Sequence, residues 1–231
     1  LNTWTHHLEK AAELQLGMAH EGKQWTDFRL KDRQLLNAGS CGGAMYRIML
    51  SVHNQQWQSG DILEVQSANG AAEIQRFLER HPADSDQAAA DALKLKNLRQ
   101  LPLRQPDESF SQWVTRFAPL PLRDYSIASI PESKQLELVV RQQITEQGLG
   151  VGSGWLTESA AFGESITAHI RTNPAFHLAK IDKPMIFIGN GSGIAGLMAH
   201  LQQRHAWGFR QNWLIFGERQ QQFDFLFEQP L

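Results

Sequence analysis

The spacing of apolar residues divides the chain into successive textures. Residues 6–20, HHLEKAAELQLGMAH, set Leu8, Ala11, Ala12, Leu14 and Leu16 mostly on one side of a helix, so 1–22 is expected to be an N-terminal helical segment. From Phe28 the texture becomes strand-like, clearest in RIMLSV (47–52) and DILEVQ (61–66), with the loop HNQQWQSG between them and GSCGG (39–43) as a turn. AAEIQRFLERH (71–81) has helical spacing and ends at Pro82. An alanine-rich polar stretch follows, and PDESFSQWVTRF (106–117) predicts another helix, with Pro106 and Asp107 near its start. The region from about 70 to 120 therefore reads as a mostly helical insertion between β regions. Strand texture returns in RDYSIAS (123–129), LELVVRQQI (136–144) and SITAHIR (165–171), with the glycine-rich GLGVGSGWLTE between the last two. After 180 the order is apolar PMIFIG, glycine-rich NGSGIAG, helical LMAHLQQRHAWG and apolar NWLIFGER. Strand, glycine loop, helix and strand in that order open a parallel α/β unit.

Composition narrows the class. With 42% apolar and 20% charged residues, the 231-residue chain can bury a core. A formal net charge of -2 disfavours a chain built to grip nucleic acid or anionic lipid. The single cysteine, Cys41, allows no intramolecular disulfide and no thiolate metal cage, which points to a reducing compartment. No stretch approaches the ~20 apolar residues that span a bilayer, and LNTWTHHLEK lacks the features of a signal peptide. The absence of an initiator methionine suggests a processed product or a piece of a longer protein.

Three places carry chemistry. In Arg123-Asp124-Tyr125-Ser126-Ile127-Ala128-Ser129, strand alternation sends Arg123, Tyr125 and Ile127 to one side. A guanidinium, a phenol ring and a hydroxyl in close order suit a flavin nucleotide: Arg123 can fork onto a pyrophosphate, Tyr125 can stack on the ring, and Ser126 can meet the nitrogen that accepts hydride. The same heptapeptide reads equally as an edge strand of mixed side chains. Gly150-Val151-Gly152-Ser153-Gly154 precedes WLTESAA and can present backbone N–H groups to an anion, with Ser153 as an added donor. Alone it reads as a flexible turn. Gly191-Ser192-Gly193-Ile194-Ala195-Gly196 fits G-x-G-x-x-G between a strand and a helix, as dinucleotide loops do. Glu218 stands near the place of the ribose-binding acid ~20 residues on, while neighbouring Arg219 could meet a phosphate instead.

R-x-Y-S-I-A-S, then G-V-x-S-x-W-L, then G-x-G-S-G-I-A, then F-G-E-R form an ordered set. It resembles the ferredoxin–NADP reductase superfamily, and within it the diflavin branch of NADPH–cytochrome reductases and sulfite reductase flavoproteins. WQSGDILEVQSANG resembles that branch's FAD barrel, and the 70–120 insertion lies where those enzymes carry a connecting domain. The resemblance covers roughly residues 25–231. It implies an antiparallel FAD-binding β-barrel over 23–180 with a short helical insertion, followed by a partial parallel α/β nucleotide-binding domain over 181–231.

The resemblance also implies roles. Arg123, Tyr125 and Ser126 would hold FAD, with Ser126 tuning its reactive nitrogen. Leu138 and neighbouring backbone would line the flavin edge, and Gly150, Val151, Gly152 and Ser153 would cradle the pyrophosphate. Gly191, Ser192 and Gly193 would face the pyridine nucleotide, with Arg219 close by. Electrons would pass from NADPH through FAD to a flavodoxin-like FMN domain or a metalloprotein, with FMN held elsewhere. The setting would be the cytoplasm or the cytoplasmic face of a membrane.

Three departures stand out. The family's G-x-A-P-F reads Gly193-Ile194-Ala195-Gly196-Leu197, Gln142 replaces an adenine-side tyrosine, and the chain stops at Leu231, before the later nucleotide-domain motifs. The rest of that domain is expected to lie outside this chain. Two other classes remain: a non-catalytic module that binds FAD or a phosphate-bearing ligand within a larger complex, and a dehydrogenase built on the 191–196 loop. The second is disfavoured because that loop leaves no room for a full doubly wound sheet. His6, His7 and His20 lack further ligands at useful spacing, so no metal site is expected. Trp155 and Trp213 are expected in the core, and Phe223, Phe225 and Phe227 form an apolar row without evident cover.

Overall fold

A computed structural model of the chain describes residues 23–82 and 87–227. The helix expected over 6–20 lies outside the described residues.

Six antiparallel strands build the main body: β1 (Thr26–Leu35), β2 (Met45–Ser51), β3 (Ile62–Gln66), β4 (Leu122–Ser126), β5 (Gln135–Arg141) and β8 (Ser165–Arg171). They run in the order β4-β3-β8-β1-β2-β5. The sheet curls until its two edges meet just past β4, at the bridge Ile127↔Leu138 and the hydrogen bond from Ala128 N to Glu137 O of 2.7 Å. The result is an antiparallel barrel joined along one seam by this short contact. Period-2 alternation fills it, with Phe28 and Leu30, Ile48 and Leu50, and Leu136, Leu138 and Val140 all inward. β5 is buried on both faces: Val139 points outward into a second core with Met45, Ile194, Ala195 and Met198, where the α/β part sits on the barrel.

The insertion is helical, with α1 (Ala71–Arg80), α2 (Gln87–Ala92) and α3 (Phe110–Thr115) around a small aromatic core of Phe77, Phe110, Trp113 and Phe117. α3 starts later than Pro106 and Asp107 predict. Ser109 caps it, accepting from Gln112 N while the Gln112 side chain accepts from Ser109 N.

A small hairpin, β6 (Ile144–Thr145) and β7 (Gly148–Leu149), leads from β5 into α4 (Val151–Gly154) and a π-helical turn at Trp155–Ser159. After β8, the chain makes β9 (Met185–Asn190), α5 (Ile194–Ala206), β10 (Asn212–Gly217) and the short α6 (Gln221–Asp224). β9 and β10 pair in parallel, as the strand–loop–helix–strand pattern requires. Fully buried Arg204 on α5 ties this unit to the linker before it, donating to Lys183 O at 2.7 Å.

The parallel pair has one covered face and one bare one. Phe187, Leu214 and Phe216 are the more covered side. Ile186, Ile188, Trp213 and Ile215 are exposed, and the register sets Trp213 opposite Ile186 and Ile215 opposite Ile188. This corrects the expectation that Trp213 is core: it is 63% exposed, because alternation turns it away from the covered face. Trp155 is buried. Of the C-terminal aromatic row, Phe223 lies against Gly39, Phe227 packs with the second core, and Phe225 is 48% exposed.

Candidate functional site

Two cavities contain most of the sequence-predicted residues. One, of about 490 Å³, lies between the barrel, the insertion and the β6–β7 hairpin, and is lined by Arg123, Gly150 and Val151 together with Arg99 and Gln147. β4 and α4 meet at its back. A Cβ placed on Gly152 would lie 2.6 Å from Arg123 Cγ, 2.9 Å from Ser67 Oγ and 3.2 Å from Tyr125 Oη. Three segments far apart in sequence, at Ser67, Arg123–Tyr125 and Gly152, therefore converge at one point, and the absence of a side chain at 152 makes the convergence possible. Ser67 Oγ is buried with no hydrogen-bond partner among the described residues, an arrangement that costs free energy unless something else satisfies it.

The cavity carries two guanidiniums, Arg99 and Arg123, and one carboxylate, Glu146. The Arg123 guanidinium donates only to its neighbour Leu122 O, at 3.2 Å, among the described residues. Arg99 donates to Leu149 O at 2.7 Å and stands 3.8 Å from Glu73. Burial pushes the Tyr125 phenol up to about 12, with the Arg123 charge pulling the other way, so the ring stays neutral at any ordinary pH. Ser126 ends β4 with its side chain exposed. Asp124, on the opposite side of the strand from Arg123, pairs with Arg171.

Two predicted residues are placed less directly. Leu138 is fully buried in the barrel core, paired with Ile48 on one side and Ile127 on the other, so it lines neither cavity. Ser153 turns inward: its hydroxyl oxygen accepts from Gln143 N at 3.1 Å, which fixes the path from β5 into α4 and leaves the hydroxyl proton to donate.

The second cavity, of about 620 Å³, lies at the carboxyl ends of β9 and β10, where open α/β sheets bind ligands. Gly191, Ser192 and Gly193 form its floor as a 3-10 turn feeding α5, and Arg219, Glu218 and Arg141 line its walls. Gly191 has a φ of +52°, the left-handed region that glycine tolerates best. Glu218 is ion-paired with Arg141, which comes from the barrel.

Sequence reasoning missed Ser67, Arg99 and Arg141. Ser67 lies within the WQSGDILEVQSANG stretch, so its neighbourhood was visible; Arg99 and Arg141 carried no local signal. Among the described residues there is no cluster of three or more metal-ligating side chains, and no helix is long and apolar enough to cross a membrane.

No family model matches the chain. It is 37% identical over 128 residues to the sulfite reductase [NADPH] flavoprotein alpha-component of Mannheimia succiniciproducens, covering 52% of this chain and 21% of that one. The protein of the same name from Yersinia enterocolitica is 37% identical over 139 residues, covering 57% and 23%. The match thus spans about a fifth of the length of these relatives. In structure, the chain is similar to a ferredoxin–NADP+ reductase from Plasmodium falciparum with 2'P-AMP, with a TM-score of 0.61 at 14% identity, covering 89% of this chain and 65% of that one. The fold is of the ferredoxin–NADP reductase type, and the sequence is similar to sulfite reductase flavoproteins.

Proposed function

We propose that this chain is the FAD-carrying part of an NADPH-dependent electron-transferring reductase of the diflavin branch, with residues 23–180 as the flavin part and 181–231 as the start of the nucleotide part. The observation that carries the reading is the convergence of Arg123, Ser67 and Tyr125 on Gly152. The cavity in front of that point suits a pyrophosphate: Arg123 offers a forked cation, and the Gly150–Val151 backbone lines the same wall. Arg99 adds a second positive charge at the same cavity.

In this reading Arg123, Gly150, Val151 and Gly152 hold the pyrophosphate, with the Ser153 hydroxyl proton as a further donor. Tyr125 offers a neutral ring to stack on the flavin. Ser126, exposed at the end of the same strand, hydrogen-bonds the flavin nitrogen and orients it for hydride arrival. Gly191, Ser192, Gly193 and Arg219 receive the pyridine nucleotide.

Bound FAD would supply the redox chemistry, accepting a hydride and giving up electrons singly. The onward acceptor is a flavodoxin-like FMN domain or a metalloprotein. Similarity to proteins named as a sulfite reductase component supports an acceptor of that kind. The lone Cys41 suits a cytoplasmic setting.

The test is steady NADPH oxidation by the FAD-loaded chain with an artificial one-electron acceptor. Continuous turnover is expected. Tight FAD binding with no turnover would instead support a non-catalytic module.

A further inference from the structure

The cavity at the ends of β9 and β10 contains an internal anion. The Glu218 carboxylate is gripped on one oxygen by Arg141 and on the other by the backbone N–H of Arg219, at 3.2 Å. Both side chains of the pair are largely covered, at 24% exposure for Arg141 and 11% for Glu218, so this is not a loose surface contact. Arg141 enters from the barrel, 77 residues away in sequence, and lies against the glycine turn: a Cβ on Gly191 would be 3.0 Å from its Nη2 and 3.3 Å from Glu218 Oε1. The turn opens α5, a 13-residue helix whose positive end faces the cavity. The charged groups on this cavity are thus Arg141, Arg219 and Glu218. Asp224, from the next helix, feels Arg141 but accepts from Asn37, Ser40 and the backbone N–H of Gln220, and points to the 37–40 loop.

We propose that Arg141 is the phosphate receptor of the nucleotide cavity, and that Glu218 is its placeholder rather than a ribose ligand. The inference rests on the reading of this cavity as the pyridine-nucleotide site. A guanidinium that holds one carboxylate oxygen through Nη2, with Nη1 on Gly43 O, beside the turn that opens α5 has the geometry to hold a phosphate oxygen instead. Arriving phosphate would exchange with the Glu218 carboxylate at Arg141, and the freed carboxylate would turn to solvent. Glu218 therefore competes with the ligand, and its charge repels it.

Opposite signs in two variants separate this from other roles. NADP+ binding to the FAD-loaded full chain would be measured by calorimetry, with melting temperature and flavin content as checks on folding. Arg141→Gln should weaken binding about tenfold or more, the scale of a lost charge-assisted hydrogen bond. Glu218→Gln should tighten it severalfold. Inorganic pyrophosphate should compete with NADP+ in the wild type and in Glu218→Gln. Should Arg141→Gln fail to fold, the direction of Glu218→Gln still decides. Weaker binding in Glu218→Gln would make Glu218 a ligand or a structural clamp and overturn the proposal, as would unchanged binding in either variant. A wild-type chain that holds FAD but takes up no NADP+ would sink the nucleotide-site reading itself, and this inference with it.

Discussion

At the scale of single residues, Gly152 shows how little room the proposed flavin site leaves. An alanine there would put a methyl carbon 2.6 Å from Arg123 Cγ, near the root of the side chain and not at its flexible end. Arg123 would have to leave its position, and Ser67 would be pressed at 2.9 Å. Gly152→Ala should therefore weaken FAD binding by about tenfold or more, measured by quenching of flavin fluorescence. Unchanged affinity would place the pyrophosphate elsewhere. Ser126 is expected to act on the other half of the cofactor. Ser126→Ala should slow flavin reduction by NADPH in stopped flow by about tenfold or more while FAD affinity stays near wild type, because one neutral hydrogen bond adds little to binding. Equal losses in both would make Ser126 a binding residue. Arg123 and Tyr125 were readable from the heptapeptide because period-2 alternation sends them to one side. Ser67 and Arg99 were not, because only barrel closure and the folded insertion bring them to that point.

At the scale of elements, α5 packs against the turn Pro174–Phe176 through a buried histidine. His200 is 3% exposed, its ring centroid is 4.6 Å from that of Phe176, and its Nδ1 has no partner among the described residues. Burial lowers its pKa from 6.5 to about 4, with a backbone hydrogen bond at Phe176 opposing and His177 adding to the fall. The folded value is the depressed one. The stabilisation is therefore complete above about 6.5 and is lost as pH falls toward 4, by about 3 kcal/mol at most. His200→Leu should flatten this acid limb in urea titrations between those pH values. A variant as acid-sensitive as the wild type would remove His200 from the account. Elements with strong periodicity, such as β8 and α5, followed directly from the sequence. The start of α3 did not, because Ser109 and Gln112 form a capping box that outcompetes Pro106 and Asp107. Trp213 went astray because hydropathy marks a residue as apolar without saying whether its face of the strand is covered.

At the scale of the whole molecule, the barrel and the parallel unit share a core through β5, and the two cavities open on either side of that strand's end. Arg141, the last residue of β5, lines the cavity at the ends of β9 and β10, and the β6–β7 hairpin that follows walls the cavity beside Arg123. In the proposed reading, one strand and the loop after it would border both the donor and the acceptor of a hydride. The bare face of Ile186, Ile188, Trp213 and Ile215 is unusual for parallel strands, which are generally covered on both sides. The barrel's strand pattern, the glycine loops and the parallel turn were legible from spacing alone. The Arg141–Glu218 contact was not, since nothing local links residues that only the docking of the two parts brings together.

The most direct test of the central claim is the absorption spectrum of the purified chain, with identification of any flavin released on denaturation. The account predicts a yellow protein with flavin bands that releases FAD, or a colourless one that gains those bands when FAD is added. A protein that is colourless and takes up no added FAD would contradict it.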